Sequence, residues 1–151
     1  MLFATCQTKN AMEQGTVTTY AFRLKPGEDL KQQLELFVAE KQIQAGWIVT
    51  CVGSLTQYHL RFANQSEGSQ SQGHFEIVSL TGTLSINGSH LHMSVSDSTG
   101  RTFGGHLLEG NLVYTTAEIV IGTSHELLFT REYDGTTEWK ELQIKKREKP
   151  E

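Results

Sequence analysis

The sequence predicts an α/β fold of the α+β kind, in which a mostly antiparallel β-sheet packs with one main helix. Three observations predict it. One stretch alone, residues 28–45, repeats apolar residues at helical spacing. Most other apolar runs are rich in the β-branched and aromatic residues that suit a pleated, half-buried surface. Turn signals separate those runs, among them Pro26-Gly27, Asn87-Gly88 and Asp134-Gly135. At 151 residues the chain has the length of one domain with its own core.

Residues 1–15 carry no clear period and end at Gly15, which reads as an N-terminal arm. Thr16 to Leu24 is β-branched and aromatic enough for a first strand, and Pro26-Gly27 breaks the chain after it. Glu28 and Asp29 are expected in the first helical turn, where carboxylates interact favourably with the helix dipole. Leu30, Leu34, Phe37 and Val38 form the apolar face, and Gly46 is the expected C-terminal cap. Trp47 to Val52 is a continuous apolar run, as in a strand covered on both faces. Gly53-Ser54 is expected to interrupt it before Leu55 to Phe62 resumes with alternation, and the polar residues 63–72 read as a solvated loop. Phe75–Leu80, Gly82–Ile86, Leu112–Ile121, His125–Tyr133 and Trp139–Ile144 read as strands. Residues 16–144 thus form a single domain, followed by a charged tail at 145–151.

Asn87-Gly88 is the strongest short hairpin signal in the chain. A two-residue loop there pairs Ser85 with His90, Leu84 with Leu91 and Thr83 with His92. Opposed residues share a face, so Leu84, Ile86, Leu91, Met93 and Val95 form an apolar face. Thr83, Ser85, His90, His92, Ser94 and Ser96 form a polar one. A three-residue loop Ser98-Thr99-Gly100, with glycine where such turns want a left-handed residue, then pairs Val95 with Phe103 and His92 with His106. A one-residue slip would turn Phe103 and Leu107 onto the polar face. A bulge at Gly104-Gly105 is the one local feature that would disturb this register.

His90, His92 and His106 are therefore expected on one face of neighbouring strands. Neutral imidazoles are good ligands for zinc and other divalent transition metals. Three protein ligands with a fourth position open is the catalytic rather than the structural zinc arrangement. The competing reading is a hydrogen-bonded polar cluster. Glu118, inside a β-like run, is a candidate partner or general base, set against the plainer reading of a sheet-edge charge. His59, His74 and His125 are isolated in sequence and read as surface or loop residues.

The net charge of −4 gives no general attraction for phosphate backbones. Cys6 and Cys51 make no disulfide framework, and a reduced, cytoplasmic setting is the simpler expectation. No window approaches the roughly 18 apolar residues of a membrane span, and no segment has the pattern of a signal peptide. Ser-His-Asp, P-loop and dinucleotide-binding signatures are absent from the sequence.

Four ordered stretches resemble the plant-and-prokaryote-conserved (PPC) domain family. They are Phe22-Arg-Leu-Lys-Pro-Gly-Glu-Asp-Leu30, Gly73-His-Phe-Glu-Ile-Val-Ser-Leu80, His90-Leu-His-Met-Ser-Val-Ser-Asp97 and Gly104-Gly-His-Leu-Leu-Glu-Gly110. The likeness runs from about Thr16 to Gly122. It implies the α/β, mostly antiparallel fold of that family, similar also to acetolactate decarboxylase, together with a homotrimer and a DNA-binding label. That label comes from plant members with AT-hooks, whose Arg-Gly-Arg-Pro core is absent here. The resemblance further implies a metal at His90, His92 and His106, as in some stand-alone relatives. It also implies partner contacts at Gly73, His74, Phe75, Glu76, Ile77 and Val78, where His74 replaces the plant arginine. The expected function is thus a stand-alone, homotrimeric regulatory or interaction module with a three-histidine metal or small-ligand site. The alternatives are a metal-dependent enzyme on a small polar substrate and direct DNA binding.

Overall fold

A computed structural model describes residues 16–147; the N-terminal arm, Cys6 and the end of the charged tail lie outside the described residues. The elements are β1 (Thr18–Leu24), α1 (Leu30–Glu40), β2 (Gly46–Arg61), β3 (Ser69–Leu84), β4 (His90–Ser96), β5 (Thr102–Leu107), β6 (Leu112–Thr123), β7 (Leu127–Glu132) and β8 (Glu141–Lys146). Six strands form one sheet in the order β1-β6-β2-β3-β4-β5, with antiparallel neighbours throughout. The sheet curls until β5 pairs back onto β2, through Leu60 with Leu107 and Arg61 with His106. β7 and β8 form a separate two-stranded sheet.

The helix is shorter than its apolar period suggests, and its caps explain why. Asp29 is the N-cap rather than a first-turn residue, its Oδ1 accepting from Gln32 N at 3.0 Å. Its other oxygen accepts from Gly110 N, and Leu30 N donates to Asn111 O, so the cap also ties the helix to the β5–β6 loop. The C-terminus closes at Gln42, not Gly46. Gln42 adopts a left-handed φ of 51°, its N–H bonds Ala39 O, and Ile43 N–H bonds Val38 O. These are the two hydrogen bonds of a Schellman cap, and buried Val38 and Ile43 supply its apolar contact.

β2 runs unbroken through Gly53-Ser54. A Cβ at residue 53 would stand 2.0 Å from Thr116 O and 2.8 Å from Ala117 Cα, so glycine here lets β6 approach closely. The strand continues with a local register shift on that side. β3 begins at Ser69, inside the expected loop, because Ser69–Gln72 pair with Leu60–Gln57 and satisfy their backbone groups there. β8 likewise extends into the expected tail, with Lys145 Nζ 2.8 Å from Glu132 Oε1.

The inward faces of the sheet and α1 make one core that includes Leu30, Leu34, Val38, Leu55, Leu60, Leu84, Met93, Val95 and Leu107. Fully burying each such side chain contributes roughly 1.5–3 kcal/mol. Phe37 joins α1 to β1, stacked 4.6 Å from Phe22 and edge-on to Tyr20 at 5.3 Å. Cys51 is free and buried, and burial pushes its thiol up to about 12, which leaves it protonated at neutral pH. The apolar run of β2 is covered on its inner side by the core, through Ile48 and Cys51. Val49 and Val52 on the outer side are 54% and 56% exposed.

Candidate metal centre

The β4–β5 hairpin has the register its sequence predicts: His92 pairs with His106 and Val95 with Phe103. Gly100 sits at φ 82°, and Asp97 Oδ1 closes the turn by accepting from Thr99 N, Thr99 Oγ1 and Arg101 N. Gly104 and Gly105 do not bulge, for Ser94 pairs with Gly104 and Met93 with Gly105 in step. A Cβ at 104 would meet Met93 O at 2.7 Å, and one at 105 would meet Arg61 O at 2.5 Å. These glycines let β5 fit tightly between β4 and β2.

The β3–β4 register differs from expectation by two residues. Thr83 pairs with His90, and Thr81 rather than Thr83 with His92. The loop is five residues long because Asn87 is engaged elsewhere. Its Nδ2 and Ser85 Oγ both donate to Phe129 O, and Gly88 N bonds Ser85 O. Ser85 is consequently buried, Ile86 is exposed, and neither lies on its expected face. A shift of two preserves the faces of the other residues, so Leu91, Met93 and Val95 stay in the core and the histidines stay outside it.

One nitrogen each from His90, His92 and His106 lies within 4.8 Å of the others. His90 Nε2 and His92 Nε2 are 3.2 Å apart, and the ring centroids are 4.9 to 5.5 Å apart. A tetrahedral zinc with Zn–N near 2.0–2.1 Å places its nitrogens about 3.4 Å apart, so the His90–His92 pair matches that edge. Three convergent imidazoles with no carboxylate among them suit a borderline metal such as zinc. The cluster lines a cleft of about 670 Å³ with Ser79, Thr81, Ser94, Phe62 and Arg61.

The surroundings of His90 and His106 favour their neutral rings. Burial, then His90 and Arg61 nearby, push His106 down to about 4. His90 is lowered by burial first and by Arg131 and His92 next, with Glu141 opposing. A neutral ring is the form a metal needs. We expect nuclear magnetic resonance to find the His106 ring neutral at pH 6 in metal-free protein. Its depressed value means that only the unfolded chain takes up this proton between the ordinary pKa near 6.5 and about 4. The His106 contribution is therefore intact above that window and lost as pH falls through it. Melting temperature should decline there, less so in His106→Gln; an unchanged slope counts against the assignment.

Other expected site residues are more dispersed. Glu118 lies exposed on β6, paired with Arg23 and Val52, and does not line the cleft. In the stretch Gly73–Val78, Phe75 and Ile77 are in the core, whereas His74, Glu76 and Val78 point outward. His59 belongs to β2, where its Nδ1 lies 2.6 Å from Glu109 O, and His74 packs at 4.5 Å from the Tyr114 ring. His125 is exposed between β6 and β7.

Sequence reasoning missed Arg61, Arg131 and Glu141. Arg61 is brought opposite His106 by the closure of β5 on β2. Arg131 Nη2 donates at 2.8 Å to Oγ1 of Thr83, the residue paired with His90. Only the alternation that places Arg61 opposite in sense to Leu60 and Phe62 hinted at an outward cation. Nothing local tied it to the histidines.

A curled antiparallel sheet with one helix and an open three-histidine cluster defines a small α+β protein with a candidate metal centre. The Plants and Prokaryotes Conserved (PCC) domain matches residues 11–125, and the chain belongs to that family. It is 48% identical over 132 residues to a bifunctional protein GlmU from Synechococcus sp. strain JA-3-3Ab, covering 87% of this chain but only 21% of that protein. Among solved structures, a hypothetical protein from Salmonella enterica has a TM-score of 0.88 at 43% identity, covering 89% of this chain and 98% of that one. A metal-containing protein from Archaeoglobus fulgidus has a TM-score of 0.70 at 26% identity, over 87% and 99% of the chains. A candidate DNA-binding protein from Bacteroides thetaiotaomicron has a TM-score of 0.69 at 25% identity, over 81% and 91%. Among the described residues no helix is long and apolar enough to cross a membrane.

Proposed function

We propose that this chain is a homotrimeric regulatory or interaction module built around a metal held by His90, His92 and His106. The observation that carries the reading is the convergence of three imidazole nitrogens within 4.8 Å, in an open cleft, with no carboxylate in the set. The metal-containing relative from Archaeoglobus fulgidus supports it. The trimer is supported by Val49, Val52 and Val78, each more than half exposed on the outer face of β2 and β3. Such a face on a central strand calls for a cover. His74, Glu76 and Val78 are the residues of the Gly73–Val78 stretch available to a protein partner, while Phe75 and Ile77 hold the strand in place. The likeness to part of a GlmU protein supports a role beside an enzyme, and a cytoplasmic location goes with that role.

The 670 Å³ cleft favours one second reading, a metal-dependent enzyme on a small polar substrate. A divalent ion there would supply Lewis acidity. The chain's own residues would position the substrate, Arg61 by charge and Ser79, Thr81 and Ser94 by hydrogen bonds from the cleft wall. Glu118 stays a candidate base only if another copy of the chain brings it to the cleft.

Native mass spectrometry tests the main reading in one measurement. The expected species is a trimer carrying one zinc or similar ion per chain. A metal-free monomer under conditions that preserve complexes would overturn it. Direct DNA binding has the weakest support, because the net charge is −4 and the Arg-Gly-Arg-Pro core of the AT-hook is absent from the sequence. A duplex titration at low salt that shows no binding removes it.

A further inference from the structure

β7 and β8 lie beyond residues 11–125, which match the family, yet they stand beside the histidines. A second hollow of about 1120 Å³ shares Arg61, His90 and His106 with the cleft, and much of its wall comes from β7, β8 and the segment between them. That wall contributes Arg131, Tyr133, Trp139, Lys140 and Glu141.

Charge is unbalanced in this hollow. Among the described residues, none of Arg61, Arg131 and Lys140 has a carboxylate within 4.0 Å. Arg61 Nη1 makes only a long 3.4 Å bond to Gln65 O, and Lys140 Nζ rests 5.7 Å from the centre of the Tyr133 ring. Arg131 uses Nη2 on Thr83, and its buried Nε has no partner. Glu141 is the single acid, and its Oε1 accepts from Thr137 Oγ1 at 2.6 Å. Three neutral imidazoles would leave the two charges of a divalent ion uncompensated as well. A cationic, concave site of this kind concentrates anions. Tyr133 and Trp139 are 68% and 65% exposed at the same hollow and offer flat apolar surface, with Lys140 Nζ over one face of Tyr133.

We propose that the hollow binds a small aromatic oxyanion, its carboxylate or phosphate toward Arg61, Arg131 and Lys140 and its ring against Trp139 and Tyr133. This names the ligand class of the metal centre described above and rests on that reading only for the ion's added charge.

The test is calorimetric titration of the full chain, zinc-loaded and zinc-free, with benzoate, phenyl phosphate, acetate and inorganic phosphate. Benzoate and phenyl phosphate separate carboxylate from phosphate, while acetate and inorganic phosphate lack the ring. At least one aromatic probe is expected to bind about tenfold tighter than its non-aromatic counterpart, and more tightly with zinc present. Lys140→Gln should weaken it by about tenfold without changing zinc affinity, and Arg131→Gln should weaken it by a similar factor. Trp139→Ala should abolish the advantage of the aromatic probe. Lys140 and Trp139 are exposed, so their variants test the site even if Arg131→Gln, which loses its bond to Thr83, fails to fold. Absence of binding by both aromatic probes, or binding unchanged in all three variants, overturns the proposal. Zinc titration reports separately: aromatic anions bound without any zinc binding uphold the hollow and overturn the metal centre.

Discussion

Replacing His92 with alanine is expected to lower zinc affinity by more than about 100-fold while leaving the fold intact. The ring of His92 is exposed, and its close neighbours are the other two histidines, at 4.9 and 5.5 Å between centroids. What holds β4 in place is the opposite face, where Leu91, Met93 and Val95 are buried. Removing the imidazole should therefore change metal-free stability by less than about 0.5 kcal/mol, as for other surface substitutions. Loss of a residue that merely supports a ligand typically costs 10- to 100-fold in affinity, so loss of a direct ligand should exceed that range. Competition with a chromophoric chelator measures the affinity, and a thermal melt of the metal-free protein checks the fold. Equal zinc affinity in the wild type and the variant would show that the three histidines are a polar cluster and nothing more.

Gly82→Ala is expected to damage both fold and site, by about 3 kcal/mol or more of stability. Gly82 lies in β3 opposite Leu91, at φ 137°. A Cβ there would stand 1.9 Å from His90 O and 2.9 Å from Leu91 Cα, contacts no side-chain adjustment can relieve because both belong to backbone. Either β4 moves away from β3, which displaces His90, or the ladder breaks at this point. Chemical denaturation should show the loss of stability, and any folded fraction should bind zinc less well than wild type. Gly100→Ala is the control. It has open space around the missing Cβ and suffers only the strain of φ 82°, on the order of 1–2 kcal/mol. If the two variants lose equal stability, close strand approach is not what residue 82 provides.

Much of the site was legible because its strongest constraints are local. The alternation of Leu91, Met93, Val95, Phe103 and Leu107 leaves one register that keeps all five off the polar face. Gly100 marks the turn that joins the two strands, and the structure has that register. The β3–β4 turn was misjudged because Asn87 has two possible uses. Local chemistry favours a tight two-residue turn, but the side chain instead bonds Phe129 O, more than forty residues away. Arg61 was out of reach for the same reason, since the pairing of β2 with β5 is a property of the curled sheet. The end of α1 was hidden differently: Gln42 takes a left-handed conformation that glycine would ordinarily mark. Gly53 reads as a break in a strand and Gly82 as the start of one, yet each lies inside a strand where another backbone comes too close for a side chain.

The pairing of β1 with β6 bears on how the protein is made. Thr18 faces Thr123, and the Asp29 cap is completed by the backbone at Gly110. Among the described elements β1 and α1 leave the ribosome earliest, yet β6 follows only after about a hundred residues more, some 5–20 seconds at ordinary rates of synthesis. Meanwhile Tyr20, Phe22 and Phe37 have each other but no sheet to cover them. β2, β3, β4 and β5 follow one another directly and can pair before β6 is made, whereas β1 must wait for β6.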